Sequence, residues 1–572
     1  MDKIKTQIKL KDEGKDTYEL FELLDVTRLP RCRIPTDGIK IVPLKYHRQK
    51  VDRIPDEDDN VGDETHPDIH DTIHRKYPKF IPALTNWCRP HATTEAVFRD
   101  FNRAQFPVKE VDPQRLQTIM ELILWALDVK PYPVLTFNDV LFAKLPLNTG
   151  TGYYHKRSYA ATSHAKYSSP DEYKDLTLSK GHFINYHYPL FHSHVHSIKR
   201  HGLPFRIDKQ PTTREEWKKI SIRLQYYFNC RPTNLYTRLH ISKRAKDEPK
   251  KARPVYGVDD GFLHLEAMYT LPLIVQARKM SCAIMHSLET LRGSNHYLDQ
   301  VAQDYKSYLT IDYSRFDQTA PRVITNKYFT EFLPRLIFIN GPTQRTIAYP
   351  EGKGLLKESY FYRTVNCLQF LHLWYNNMVF LNADGYAYKR TCAGVPSGLL
   401  NTQELDSFVN LFVVFDSLLE YGLDSETIKT FRFFVMGDDN SIFTPLDIYE
   451  LNKIFKFIIH YVNERWNMTI NGDKCIITDN RQYIETLSYQ CNFGRPKKNI
   501  IKLCAQLCYP EHGIVEKYMS SRAIGLAYAS CGQDKTFYNL CRDVYDLFKD
   551  KAEYDDKIKY KMTKYLPGTI KL

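Results

Sequence analysis

The chain has 572 residues, 43% hydrophobic and 13% aromatic, enough to bury a large core and to expect about two to four domains. Its 80 Lys and Arg against 67 Asp and Glu leave a net charge of +13, which favours a polyanionic partner. Twelve Cys without a CxxC pair argue against a disulfide scaffold; neither a signal peptide in Met1–Leu20 nor a membrane-spanning apolar run is expected, so no membrane partner is either.

Residues 52–74 (DRIPDEDDNVGDETHPDIHDTIH) are acidic and broken by proline, and read as a surface loop. Residues 114–130 (QRLQTIMELILWALDVK) carry apolar side chains at helical spacing behind an Asp112-Pro113 start signal. Residues 145–157 (LPLNTGTGYYHKR) set two glycines among hydroxyls and then bases, which suits either a flexible loop or one whose N–H groups approach phosphate. Six histidines follow between Gly181 and His201. His192, His194 and His196 would share one face of a strand; with no cysteine nearby, polar packing or imidazoles facing a nucleic acid is expected rather than zinc. Thr212–Tyr227 reads as a helix opened by a capping box from Thr212 to Glu215. The densely basic run from Arg238 ends in Arg253-Pro-Val-Tyr256, an extended segment.

Three acidic or polar clusters follow. Tyr308–Asp317 (YLTIDYSRFD) runs as a strand into an acidic turn, with Asp312 at the strand end and Asp317 either in the site or capping the next helix. Cys392–Asn410 has a Pro-Ser-Gly turn entering an amphipathic helix that projects Ser397, Thr402, Asp406 and Asn410. Phe431–Phe443 (FRFFVMGDDNSIF) reads as a β-hairpin bent at Gly437 with Asp438 and Asp439 at its tip. Adjacent carboxylates repel unless a cation lies between them, and oxygen ligands suit Mg²⁺ or Mn²⁺.

In this order and at separations of about 85 and about 40 residues, the clusters resemble motifs A, B and C of viral RNA-dependent RNA polymerases, most like those of partitiviruses, whose genomes are double-stranded RNA. The resemblance extends to 251–256 (motif F), 471–474 (motif D), 486–495 (motif E) and 145–154 (motif G). It implies an α+β right-hand fold with a small antiparallel palm sheet backed by helices. The expected division is 1–305 for an N-terminal extension and fingers, 306–326 palm, 327–390 a fingers insertion, 391–495 palm and 496–572 a helical thumb.

The resemblance also implies nucleotidyl transfer assisted by two divalent ions, Mg²⁺ with Mn²⁺ as substitute, on Asp312, Asp438 and Asp439, with Lys474 protonating pyrophosphate. Lys251 and Arg253 would face the triphosphate, and Asp317, Ser397, Gly398, Thr402 and Asp406 or Asn410 the nucleotide and its 2′-hydroxyl. RNA, ribonucleoside triphosphates and a viral capsid protein are the implied partners, in the virion interior or host cytoplasm. A reverse transcriptase would need a bulky residue in place of Asp317, and a non-catalytic RNA-binding protein would not need to keep the carboxylates.

Overall fold

The structure is a computed structural model that describes residues 21–23, 33–47, 65–90, 92–143, 145, 147, 149–167, 178–244, 252–337, 357–511 and 513–552. Alternating and β-branched segments build two principal sheets. The larger joins β1 (Phe21–Leu23), β2 (Ile39–Tyr46), β4 (Thr233–Leu239), β6 (Ala252–Gly257), β9 (Phe380–Leu381) and β10 (Tyr386–Arg390) in the order β1-β2-β10-β9-β4-β6. Its pairings are antiparallel except β4 with β9. Two short ribbons accompany it: β3 (Trp87–Cys88) with β5 (Ser242–Lys243), and β15 (Glu485–Thr486) with β16 (Tyr489–Gln490).

The smaller sheet contains β7 (Ser307–Thr310), β11 (Arg432–Met436), β12 (Asp439–Thr444) and β14 (Ile476–Thr478), all antiparallel, in the order β11-β12-β7-β14. A separate antiparallel pair joins β8 (Tyr313–Ser314), three residues after β7, to β13 (Thr469–Ile470). Phe433 and Val435 point into the main apolar cluster, while Phe434 and Phe443 fill a second one on the other face. This period-two division explains why the aromatic run is a strand and not a helix. The Thr402–Tyr421 helix packs behind β11 and against the Ile448–Trp466 helix, and its side chains from Glu404 to Leu418 are all buried. A helix buried on every side is held by its surroundings more than by its own polarity pattern.

The Pro113–Leu127 helix forms as expected, with the Asp112 carboxylate accepting from the N–H groups of Gln114 and Arg115. The capping box expected at Thr212 and Glu215 lies one residue later, at Thr213 and Glu216, and opens the Arg214–Cys230 helix. The histidine-rich segment is not a strand but the Lys180–His201 helix. His192 and His196 are therefore one turn apart, with their Nε2 atoms 3.0 Å from each other, a His-x₃-His relation hidden by reading the segment at period two. The stretch expected as a loop at 52–74 lies outside the described residues up to 64, and beyond that its end begins the Pro67–Lys76 helix.

Chain order and packing part company at the C-terminus. The Ile500–Cys508, Glu516–Ala529 and Lys535–Phe548 helices share one apolar cluster with residues 69–84. Arg89 is buried at that junction and donates to Tyr509 O, 2.8 Å away, and to Leu239 O, so N-terminal and C-terminal segments close on the larger sheet. The free cysteines among the described residues include both buried and partly exposed thiols, and none of the described helices is long and apolar enough to cross a membrane.

Candidate active site

The hairpin pairs Met436 with Asp439, which leaves Gly437 and Asp438 as a two-residue turn. Gly437 has φ +66°, as the first turn position requires when the second residue is not left-handed. The turn is gripped from below by the Thr402–Tyr421 helix. Gly437 N–H donates to Ser407 Oγ at 3.0 Å, and the Asn410 amide donates to Gly437 O and Asp438 O at 3.0 Å each. Asn410 Oδ1 accepts from Asn440 Nδ2 at 3.0 Å, and Asn440 Oδ1 accepts from Ile311 N–H at 3.0 Å. One chain of amides thus ties the helix to the hairpin and the hairpin to the residue before Asp312.

Asp312 follows β7 directly, and its backbone is held by Cys475 Sγ, which accepts its N–H at 3.2 Å, and by Asn471 N–H, which donates to its carbonyl at 2.8 Å. Asp312, Asp317, Asp438, Arg253 and Lys474 line one cleft of about 510 Å³. Lys474 Nζ stands 3.9 Å from Asp312 Oδ2, and both are exposed, so this contact is a weak one. Lys251 lies outside the described residues.

The acids crowd one another. Burial raises the Asp438 pKa, Asp317 and Asp312 raise it further, and Arg253 opposes them. Burial pushes Asp439 up to about 7, with Asp438, Asp312 and Glu485 adding to the rise; its side chain still reaches solvent, so neighbouring charge is the part a cation would relieve. Among the described residues no three His, Cys, Asp or Glu side chains converge on one point. The acids form a loose, self-repelling corner of carboxylate oxygens rather than a closed cage, and that donor set fits a hard divalent cation.

The Ser397 loop sits beside this corner. Ser397 Oγ donates to Asp317 Oδ2 at 2.7 Å, and Val395 N–H donates to Asp317 O at 2.8 Å. Gly398 lies so close to β6 that a Cβ there would be 1.8 Å from Tyr256 O, which makes glycine obligatory. Two residues expected at the nucleotide are engaged inside the protein instead. Thr402 Oγ1 donates to Leu399 O at 3.0 Å and Pro396 O at 3.2 Å, closing its own loop, and Asn410 serves the hairpin turn. Asp406 is buried beneath the turn; burial raises its pKa well above the ordinary range, and Asp317, Asp438 and Glu404 add to that. Its Oδ1 has no hydrogen-bond partner among the described residues.

The cleft also gathers side chains that carry no local signature. Arg99, Asp100 and Arg103 come from the Thr94–Phe101 helix and the residues after it, and Lys243, Arg315 and Lys502 from three other segments. Burial raises the Asp100 pKa, against the pull of Arg103, Arg253, Arg315 and Arg390. Arg315 has φ +58°, a left-handed backbone in a non-glycine residue between the two acids of its segment. Glu485 is a further acid near Asp312 and Asp439. None of the 149–157 segment is among the residues lining this cleft; it is anchored through Thr151 to Asp260 and His155 Nε2 to Asp259 Oδ2 at 3.3 Å.

Residues 232–549 match the family model described as viral RNA-dependent RNA polymerase. An RNA-directed RNA polymerase of Atkinsonella hypoxylon virus (isolate 2H) is 37% identical over 576 residues, 97% of this chain and 85% of that protein. One of White clover cryptic virus 1 (isolate Boccardo/2004) is 26% identical over 344 residues, 57% of this chain and 53% of that protein. With Asp312 and Asp438 gathered in one basic cleft, the chain belongs to the viral RNA-dependent RNA polymerases, most like those of partitiviruses, and is an RNA-directed RNA polymerase.

Proposed function

We propose that this enzyme replicates and transcribes a double-stranded RNA virus genome by nucleotidyl transfer at the Asp312–Asp438 corner. The observation that carries the reading is that Asp312, just after β7, and Asp438, in the turn between β11 and β12, line one cleft together with Arg253. In the reaction the 3′-hydroxyl of the growing strand attacks the α-phosphate of a ribonucleoside triphosphate, and pyrophosphate leaves. Divalent cations, Mg²⁺ before Mn²⁺, held by Asp312, Asp438 and Asp439 would supply the lowered pKa of the attacking hydroxyl and the neutralised charge of the leaving group.

The protein's own side chains do the rest. Arg253 offers fixed positive charge to the triphosphate, and Lys474, free to move at the rim, is placed to give a proton to pyrophosphate. Asp317 and Ser397 form a polar pair that senses the ribose 2′-hydroxyl, with the orphaned oxygen of Asp406 beneath. That receptor favours RNA synthesis over reverse transcription, which a bulky side chain would serve. The four-stranded sheet is the palm, the larger sheet belongs to the fingers, and the helices after 496 form the thumb. The double-stranded RNA virus context, a capsid protein partner and a place in the virion interior or host cytoplasm rest on the partitivirus resemblance.

The test is incorporation of labelled ribonucleotides by the purified chain on a single-stranded RNA template with Mg²⁺. Template-dependent product is expected; RNA binding without synthesis under these conditions would leave only a binding role.

A further inference from the structure

A buried positive charge that the reaction does not use directly lies against Gln318 and Gly394. Arg390 ends β10 and is only 3% exposed, yet it forms no ion pair among the described residues. Its guanidinium lies in a cage of ring faces, with the centroids of Phe101, Phe380 and Tyr256 at 4.3, 5.4 and 5.7 Å. One terminal nitrogen donates to Gln318 Oε1, to Tyr256 OH at 3.0 Å and to Phe101 O at 3.4 Å. Nε and the other terminal nitrogen have no hydrogen-bond partner among the described residues. A buried guanidinium without an ion-paired carboxylate is costly, so its presence calls for a role that an apolar side chain would not fill.

Its contacts point to that role. Gln318 adjoins Asp317, and Tyr256 lies on the strand whose carbonyl the Gly398 loop touches; Tyr256 OH itself donates to Gln318 Oε1 at 3.4 Å. Gly394, at φ +106°, brings the start of the same loop against Arg390, where a Cβ would stand 2.4 Å from its NH1. Gly394 N–H then donates to Ala320 O and Val395 N–H to Asp317 O, both at 2.8 Å, which locks the loop to the short Phe316–Thr319 helix. Arg390 is thus the common support beneath both halves of the Asp317–Ser397 pair.

We propose that Arg390 is the positioning residue of the sugar-sensing pair: gripping Gln318 and Tyr256 from below, it fixes Asp317 against Ser397 and so sets the preference for ribonucleotides over deoxyribonucleotides. The inference rests on Asp317 and Ser397 meeting the 2′-hydroxyl. Arg390 touches neither substrate nor metal and acts through Gln318.

The experiment measures kcat and KM for ATP and dATP with the full chain, RNA template and Mg²⁺, in wild type, Arg390→Gln, Arg390→Lys and Asp317→Ala, with a melting curve for each. Arg390→Gln is expected to narrow the ATP:dATP preference about tenfold, the scale of one lost charge-assisted hydrogen bond, and to do so mainly through KM for ATP. Arg390→Lys keeps the charge without the planar fork and is expected to restore part of the preference. If Arg390→Gln leaves the ratio unchanged while Asp317→Ala collapses it, the role given to Arg390 is overturned and the sensor stands. If neither changes it, the sensor reading falls and this inference with it. Where Arg390→Gln does not fold, Gln318→Met removes the accepting oxygen and leaves Arg390 in its cage; an unchanged ratio there also overturns the proposal.

Discussion

The side-chain amide of Asn410 donates to the main-chain carbonyl of Asp438 at 3.0 Å, so a helix residue holds the acidic turn by its backbone and leaves the carboxylate free for the cleft. The same amide holds Gly437 O, and its oxygen accepts from Asn440. Asn410→Ala orphans two carbonyls and one amide, a loss of about 2–4 kcal/mol in a buried site. It is expected to lower kcat strongly while RNA affinity, measured by filter binding, stays near wild type. A change confined to KM for nucleotides would return Asn410 to the nucleotide.

Asp438→Asn keeps the shape of the turn and removes a charge from the corner where Asp312 raises the pKa values of Asp438 and Asp439, and Asp438 raises that of Asp439. Polymerisation is expected to fall about a thousandfold or more, since several kcal/mol of charge stabilisation go with the carboxylate. RNA affinity is expected to hold, because the basic wall supplies the phosphate contacts. Robust synthesis by the purified variant would remove Asp438 from the catalytic centre.

Gly398→Ala places a methyl group 1.8 Å from the Tyr256 carbonyl oxygen, a clash with main chain that no rotamer relieves. The Ser397 loop must move off β6, at about 3 kcal/mol. Reduced melting temperature together with weakened ribonucleotide preference is the expected result. A variant with wild-type melting and kinetics would show the loop to be free of the strand.

Glu266 is buried beneath the same loop, where its carboxylate accepts from Leu400 N–H at 2.7 Å. Burial, with a contribution from Glu404, pushes its pKa up to about 8 from 4.5; Glu404 itself faces His286 Nε2 at 2.7 Å. Because the folded value lies above the unfolded one, the carboxyl's stabilising contribution is complete below 4.5 and is lost as pH rises through about 8. Glu266→Gln stays neutral and still accepts the loop N–H. It is expected to melt with wild type at about pH 5 and above it at about pH 8.5. An equal difference at both pH values would show that Glu266 is not titrating in the folded protein.

The local elements were readable where one period dominated. The Pro113–Leu127 helix and the Arg432–Thr444 hairpin emerge from spacing, and Asp312, Ser397 and Asp438 from motif order. The Lys180–His201 helix was misread because alternate histidines satisfy a strand pattern, while its buried side chains Phe183, His187, Phe191, Val195 and Ile198 follow the helical one. Arg99, Asp100 and Arg103 give no signal, since more than 200 residues part them from the acids they join.

The sequence by itself determined the chemistry of the acidic corner, because a carboxylate at a strand end or a glycine-bent turn is specified by its immediate neighbours. Only the tertiary structure decided which polar residues remain available to the substrate. Asn410 and Asp406 stand one turn apart on the same helix, yet the first is spent on the Gly437–Asp438 carbonyls and the second keeps an oxygen unpaired among the described residues. Hydrogen bonding is settled by what lies within about 3 Å in space, and a buried amide satisfied by a distant backbone looks, in sequence, the same as one waiting for a ligand.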